Sequence, residues 1–282
     1  MSERRSEWRA LLDELGVRPS KSKGQNFLHD LAIVRRIAEA AEIATGELVV
    51  EIGPGLGALT RELAARADRV IAVELDRRLA AHLAGAGITG VEVIEADILA
   101  TDIAELTRGR PYVVVANLPY NIATAVIEHL LAGPARPQRL LVMVQREVAE
   151  RIVAQPPKMS ILAVAVQFYG TPRIVMRIGP GAFIPAPKVE SAVLRIDVAP
   201  QPPLPAPEQP AFFRLVRAGF GQRRKQLANA LAAGLRASKE AVERALLDAG
   251  VAPERRAETL TIADWLRLYH AAAPLLDNGA GG

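Results

Sequence analysis

Between residues 48 and 145 the chain alternates short apolar runs with amphipathic stretches, and this alternation restricts the fold more than any other feature. LVVEI (48–52), VIAVEL (70–75), VEVIEAD (91–97), YVVVAN (112–117) and RLLVMVQ (139–145) are too short for buried helices and rich in β-branched residues. The stretches between them have helical spacing, as in ALTRELAARA (58–67) and in the segment placing Ile122, Val126, Ile127, Leu130 and Leu131 on one face. Neighbouring parallel strands need a crossover, and a helix is the usual one, so the pattern predicts an α/β fold with a parallel, doubly wound sheet. Two later runs, RIVMRI (173–178) and SAVLRIDV (191–198), alternate with period two. Only a Pro/Gly-rich stretch joins them, too little for a crossover helix, so an antiparallel last strand is expected to close the sheet.

Ahead of the sheet, Trp8, Leu11, Leu12 and Leu15 fall on one helical face and predict a helix over 5–15. Six prolines in the thirteen residues 198–210 predict a stiff linker and a domain boundary. The expected division is a sheet domain over 1–200, a linker over 201–210 and a small all-helical domain over 211–282. Helices are predicted there over 211–219, 223–235, 238–249 and 261–273, and DNGAGG reads as a flexible tail.

Several classes of function are disfavoured. There is no cysteine, so disulfides, thiolate metal sites and a cysteine nucleophile are excluded, and a reducing cytoplasm is the expected setting. The four histidines show no metal spacing, so no metal is expected. The first residues are charged rather than signal-like, and no run of eighteen apolar residues suggests a membrane span. Charge is distributed unevenly. From Arg151 to Val189, and again from Gln209 to Lys239, there are basic residues but no Asp or Glu. Such one-signed stretches serve equally as solvated faces or as surfaces for a polyanion, and their length favours the polyanion.

Glu51-Ile-Gly-Pro-Gly-Leu-Gly57 lies between a strand and a helix. Gly53 and Gly55 permit a tight turn and close approach of backbone to a ligand at the helix start. Glu74, about twenty residues on, is placed to accept hydrogen bonds from a ribose diol. A nicotinamide dinucleotide satisfies this pattern as well as any other adenosine cofactor, and a plain strand–helix turn needs the same glycines. Asp97 suits an adenine amine with Ile98 over the ring, or simply a helix N-cap.

Asn117-Leu-Pro-Tyr120 closes the fourth strand and points to a chemistry. The exocyclic amine of adenine is a poor nucleophile because its lone pair is delocalised into the ring. Two acceptors for its N–H groups, the Asn117 side-chain oxygen and the Leu118 carbonyl held outward by Pro119, favour a pyramidal nitrogen and an in-line attack on a methyl group. Tyr120 is placed to stack on the base, and Phe183 is expected on its other face. A duplex base has to leave its stack to reach such a pocket.

With these residues in view the chain resembles the ribosomal RNA adenine dimethyltransferase family. The similarity runs almost end to end, through Lys23–Asp30, Glu51–Gly57, Glu74, Asp97, Asn117–Tyr120, Gln145–Val148, Phe183–Ser191 and Phe220–Lys225. The resemblance implies a Rossmann-like class I methyltransferase sheet, S-adenosylmethionine as cofactor, and dimethylation of two adjacent adenines near the 3′ end of small-subunit rRNA during 30S assembly. It implies that residues 1–46 include a loop covering the cofactor, contacted by Asn26 and Leu28, with Gly53, Gly55, Glu74, Asp97, Ile98 and Asn117 completing that site. Arg146, Lys188, Arg223, Arg224 and Lys225 are the expected RNA contacts, and a monomer is expected. A large-subunit rRNA methyltransferase of the macrolide-resistance type is the alternative within the resemblance. Pro156-Pro-Lys-Met159 departs from the family's Tyr-Gly-containing loop, which puts local RNA contacts there in doubt.

Overall fold

The computed structural model describes residues 2–19, 25–222 and 224–277. Two compact units emerge: residues 1–149 with 171–200, and residues 150–170 with 201–282.

The first unit opens with α1 (Ser2–Glu14), the two-residue strand β1 (Phe27–Leu28) and α2 (Leu31–Ala40). Then follow β2 (Leu48–Ile52), α3 (Ala58–Ala64), β3 (Arg69–Glu74), α4 (Arg77–Gly85), β4 (Val91–Glu95), α5 (Ile103–Thr107), β5 (Tyr112–Asn117), α6 (Ala123–Ala132) and β6 (Arg139–Gln145). After α7 (Arg146–Ile152) and α8 (Ile161–Gln167) come β7 (Gly170–Ile178), the short β8 (Phe183–Ile184) and β9 (Ser191–Val198). The seven-stranded sheet runs β4-β3-β2-β5-β6-β9-β7. Its first five strands are parallel, and β9 is antiparallel to β6.

The central strands are buried on both faces, which is why they read as continuous apolar runs. Alternate residues supply opposite faces. Val49, Val113, Val115, Leu141 and Met143 share one core with Val34 and Ile37 of α2 and Leu59 and Leu63 of α3. Chain order reverses at β2, which lies between β3 and β5. Ile52 at the end of β2 stands beside Ala116 near the end of β5. The segments that leave these two strands therefore meet at the carboxyl edge, where open α/β sheets bind ligands.

The second unit is helical: α8, then α9 (Gln209–Phe220), α10 (Leu227–Leu235), α11 (Lys239–Asp248), α12 (Ile262–Ala271) and α13 (Ala273–Asp277). Most of the chain's few aromatic rings are here. Phe168 contacts Tyr169, Phe212 and Phe213, and Phe220 stacks on Trp265, which is fully buried. Gly234 is required where α9 and α10 touch, because a Cβ there would lie 2.6 Å from the Ala218 Cβ.

The expected domain limits differ from this division. Residues 150–170 belong with the helices: Tyr169 donates to Gln209 and Met159 N–H to the Glu258 carbonyl. The proline-rich 201–208 is not a free extended linker either. Leu204 is buried and its carbonyl accepts from the Gln209 side chain, so the prolines stiffen turns that pack onto their own unit. The helix expected from residue 223 begins at Leu227. Its first N–H groups are satisfied by the Arg255 and Pro253 carbonyls, a tertiary cap that local sequence does not announce. Arg223, Lys23, Gly24 and the final 278–282 lie outside the described residues.

Candidate active site

The turn after β2 is built on glycine. Gly53, Gly55 and Gly57 all have positive φ (69°, 57° and 79°), and Gly57 is the N-cap of α3. Gly53 N–H donates to the Val73 carbonyl, and a Cβ on it would stand 3.6 Å from the Asn117 carbonyl oxygen. The loop is held from beneath by Glu74: one carboxylate oxygen accepts from Gly55 N–H at 3.1 Å, the other from Asp76 N–H at 2.9 Å. Burial raises the Glu74 carboxyl above the ordinary range, against the lowering effect of those N–H groups.

Three contiguous compartments open along this edge. The inner one is lined by Gly53–Leu56, Asn26–Leu28, Glu51 and Asn117–Tyr120, with Trp8 at its margin. The second shares Gly53 and Pro119 with it and adds Val73, Leu75, Asp97 and Ile98. The outer one shares Asn26 and Tyr120 with the first and adds Gln145, Pro185, Pro187, Lys188 and Val189.

Asn117 lies between these spaces. Its Nδ2 donates to the Asn26 backbone carbonyl at 3.0 Å. That carbonyl only accepts, so the bond fixes the amide orientation and leaves Oδ1 as the acceptor for another partner. Leu118 N–H donates to the Met143 carbonyl, and its side chain is buried. Tyr120 is half-buried, its hydroxyl 2.6 Å from that of the fully buried Ser191. Burial raises the Tyr120 phenol, opposed by that hydrogen bond.

The N-terminal segment reaches the site through the β1–β8 pair, in which Phe27 faces Ile184 and Leu28 faces Phe183. Asn26 and Leu28 thereby line the inner compartment. Asp97 lines the second compartment and also caps the following 3-10 turn, accepting from Leu99 N–H at 2.9 Å. Ile98 is buried beside it.

Glu74, expected to face a ribose, lines none of the three compartments; one oxygen accepts from the glycine loop, the other from Asp76 at the start of α4, and both retain further lone pairs. Phe183, expected to stack on the base, lines none of the three compartments. It is fully buried in the main core because β8 turns its side chain inward, and Pro185, Pro187 and Val189 line the outer compartment instead.

Sequence reasoning passed over Glu51. It is 1% exposed, its Oε2 has no partner, and burial pushes its carboxyl up to about 8, with the Glu74 charge adding to the rise. Its place at the head of the glycine motif was the available signal.

Of the expected RNA contacts, Lys188, Arg224 and Lys225 are exposed. Arg146 is exposed but pairs with Glu190 at 2.6 Å, an ion pair open to solvent and readily exchanged. Among the described residues no helix is long and apolar enough to cross a membrane.

Comparison with known proteins adds an independent finding. Residues 17–273 match the model of the family described as ribosomal RNA adenine dimethylase. The ribosomal RNA small subunit methyltransferase A of Moorella thermoacetica is 46% identical over 264 residues, covering 89% of this chain and 91% of the relative. The protein of that name from Dehalococcoides mccartyi is 43% identical over 261 residues, 92% and 90% of the two chains. Among solved structures, the 23S rRNA methyltransferase ErmE is 31% identical with a TM-score of 0.71, over 87% of this chain and 99% of that one. A dimethyladenosine transferase from Plasmodium falciparum has a TM-score of 0.75 at 24% identity, over 86% and 96%, a likeness of fold.

Proposed function

This chain belongs to the ribosomal RNA adenine dimethylase family, and from that membership we propose that it dimethylates the N6 amine of adenosine in small-subunit ribosomal RNA. The expected targets are two adjacent adenosines near the 3′ end, modified in an immature 30S subunit. S-adenosylmethionine, when bound, supplies a methyl group activated by its sulfonium.

The residues present fit such a donor. The loop at Gly53 and Gly55 lets a ligand approach the backbone closely, Asp97 retains a carboxylate oxygen for an adenine amine, and Ile98 lies beside it. Asn26 and Leu28 contribute from the β1–β8 pair, and Glu74 serves the ribose through its remaining lone pairs.

The single observation that carries the reading is the anchored amide of Asn117. With Nδ2 committed to Asn26, Oδ1 accepts one hydrogen of the target amine and the Leu118 carbonyl, kept outward by Pro119, accepts the other. Both acceptors are set before the base arrives, so little reorganisation is needed as charge develops. Tyr120 stacks on one face of the base, with Pro185, Pro187 and Val189 bounding the outer compartment that admits it. Lys188, Arg224 and Lys225 neutralise phosphates, Arg223 is expected to join them, and Arg146 does so by exchanging Glu190 for a phosphate.

ErmE, a 23S rRNA methyltransferase by name, is the source of a second reading, but the higher identity to small-subunit relatives favours the first. A dinucleotide oxidoreductase leaves Asn117–Tyr120 without a task. One experiment separates these: transfer of labelled methyl from S-adenosylmethionine to unmethylated small or large subunits, followed by nucleoside analysis. Dimethyladenosine in the small subunit is the expected product; label confined to the large subunit, or none, defeats the proposal.

A further inference from the structure

α1 has no role in the reaction above, yet it is seated on the site. Its apolar stripe of Trp8, Leu11, Leu12 and Leu15 packs against Phe27, Leu56 and Leu79. Leu56 lies between Gly55 and Gly57, so the helix rests on the glycine loop itself. Arg78, in the first turn of α4, donates to the Gly16 carbonyl and ties down the chain just beyond the helix. Within the stripe the environments differ. Leu12 is buried, whereas Trp8, one turn earlier, is half-buried and lines the inner compartment.

Among the described residues that compartment has one acidic lining side chain, Glu51, with an oxygen lacking any partner, and no basic one. Burial keeps this carboxyl mostly protonated at neutral pH, and a cation arriving beside it offsets the cost of ionising it, so an incoming cation is favoured there. The face of an indole attracts cations through its quadrupole, more strongly when water is excluded. The two groups act in the same sense on a ligand carrying positive charge.

We propose that Trp8 is a binding residue for the cationic part of the methyl donor, closing the inner compartment over the glycine loop; this rests on the donor reading given above. The chain has two tryptophans, and the other, Trp265, is fully buried in the helical unit. Emission changes on ligand binding therefore report Trp8. The test pairs calorimetric titration of the full chain with S-adenosylmethionine and tryptophan emission at saturation, in the wild type, Trp8→Leu and Trp8→Phe. Leucine keeps the apolar stripe of α1, and phenylalanine keeps an aromatic face as well. Expected are a shifted wild-type emission, its loss in Trp8→Leu, an affinity weakened about tenfold in Trp8→Leu and within about threefold of wild type in Trp8→Phe. Wild-type binding heat with unaltered emission, an unweakened Trp8→Leu, or a Trp8→Phe as weak as Trp8→Leu overturns the role of Trp8 and leaves the donor reading standing. No binding heat in the wild type removes the donor reading together with this proposal.

Discussion

The hydroxyls of Tyr120 and Ser191 meet at 2.6 Å, joining the turn after β5 to the first residue of β9. Ser191 is fully buried and Tyr120 lines both the inner and outer compartments, so the serine sets the angle at which the ring faces an incoming base. Ser191→Ala is expected to lower kcat about three- to tenfold, the worth of one hydrogen bond, with donor affinity unchanged. Tyr120→Phe should cost about the same, and the double variant little more, since both remove one interaction. Tyr120→Ala should cost more, by about 1–3 kcal/mol of lost stacking. Additive effects in single-turnover kinetics would deny the coupling.

Asn117→Ala removes an acceptor aimed at the target amine, and a loss of about 10²–10³-fold in kcat is expected. Calorimetry should find donor affinity within a few-fold of wild type. Unchanged turnover would reject the assigned role.

Glu51→Gln tests the buried acid through stability. The folded carboxyl titrates at about 8 against 4.5 ordinarily, so between those values the folded state holds more proton than the unfolded one. Stability from this group is therefore greatest below about 4.5 and is lost as pH rises through 8. Glutamine does not titrate. The Tm of Glu51→Gln relative to wild type should climb from pH 5 to pH 9; a constant difference would mean that Glu51 is already ionised.

Two glycines of similar φ separate strain from crowding. At Gly46 (φ 86°) a Cβ would meet nothing within 4 Å, whereas a Cβ on Gly57 (φ 79°) would lie 2.5 Å from Leu83 Cδ1, and Leu83 is buried. Gly46→Ala should cost about 1 kcal/mol from backbone conformation, and Gly57→Ala about 1–3 kcal/mol more through the clash. Urea denaturation gives both values, and equal losses would contradict the packing.

Arg224→Glu with Lys225→Glu should weaken rRNA binding and flatten its dependence on salt, reducing the slope of log K against log salt by roughly 1–2. An unaltered slope would move the RNA surface elsewhere.

What the sequence made legible follows from locality. LVVEI, YVVVAN and RLLVMVQ form strands over the expected residues because strands buried on both faces leave unbroken apolar runs, and SAVLRIDV does so through its period-two alternation. A parallel sheet was expected, but not its strand order: β2 lies beside β5, and that pairing brings Gly53 and Asn117 together. What stayed hidden depends on distant partners. β1 and β8 are two residues each, have no periodicity, and exist because Phe27 and Leu28 meet Phe183 and Ile184 from across the chain. That pairing buries Phe183, and it places the Asn26 carbonyl where Asn117 needs it. α8 escaped notice because ILAVAVQ reads as well for a strand as for a helix. The cap that delays α10 comes from carbonyls of Pro253 and Arg255, which no local pattern near residue 223 encodes.

The excursion of residues 150–170 into the helical unit bears on how the molecule comes into being. When a ribosome has delivered β6, the strand that completes its open edge, β9, is still some fifty residues away in the chain. Phe168 likewise emerges long before Phe212, the ring it packs on. Each unit thus waits on material made after the other has begun, and the sheet unit is complete, at residue 200, before the helical one. No single cut yields two intact halves: a fragment stopping at residue 200 keeps α8 with its apolar side uncovered, a surface prone to clumping.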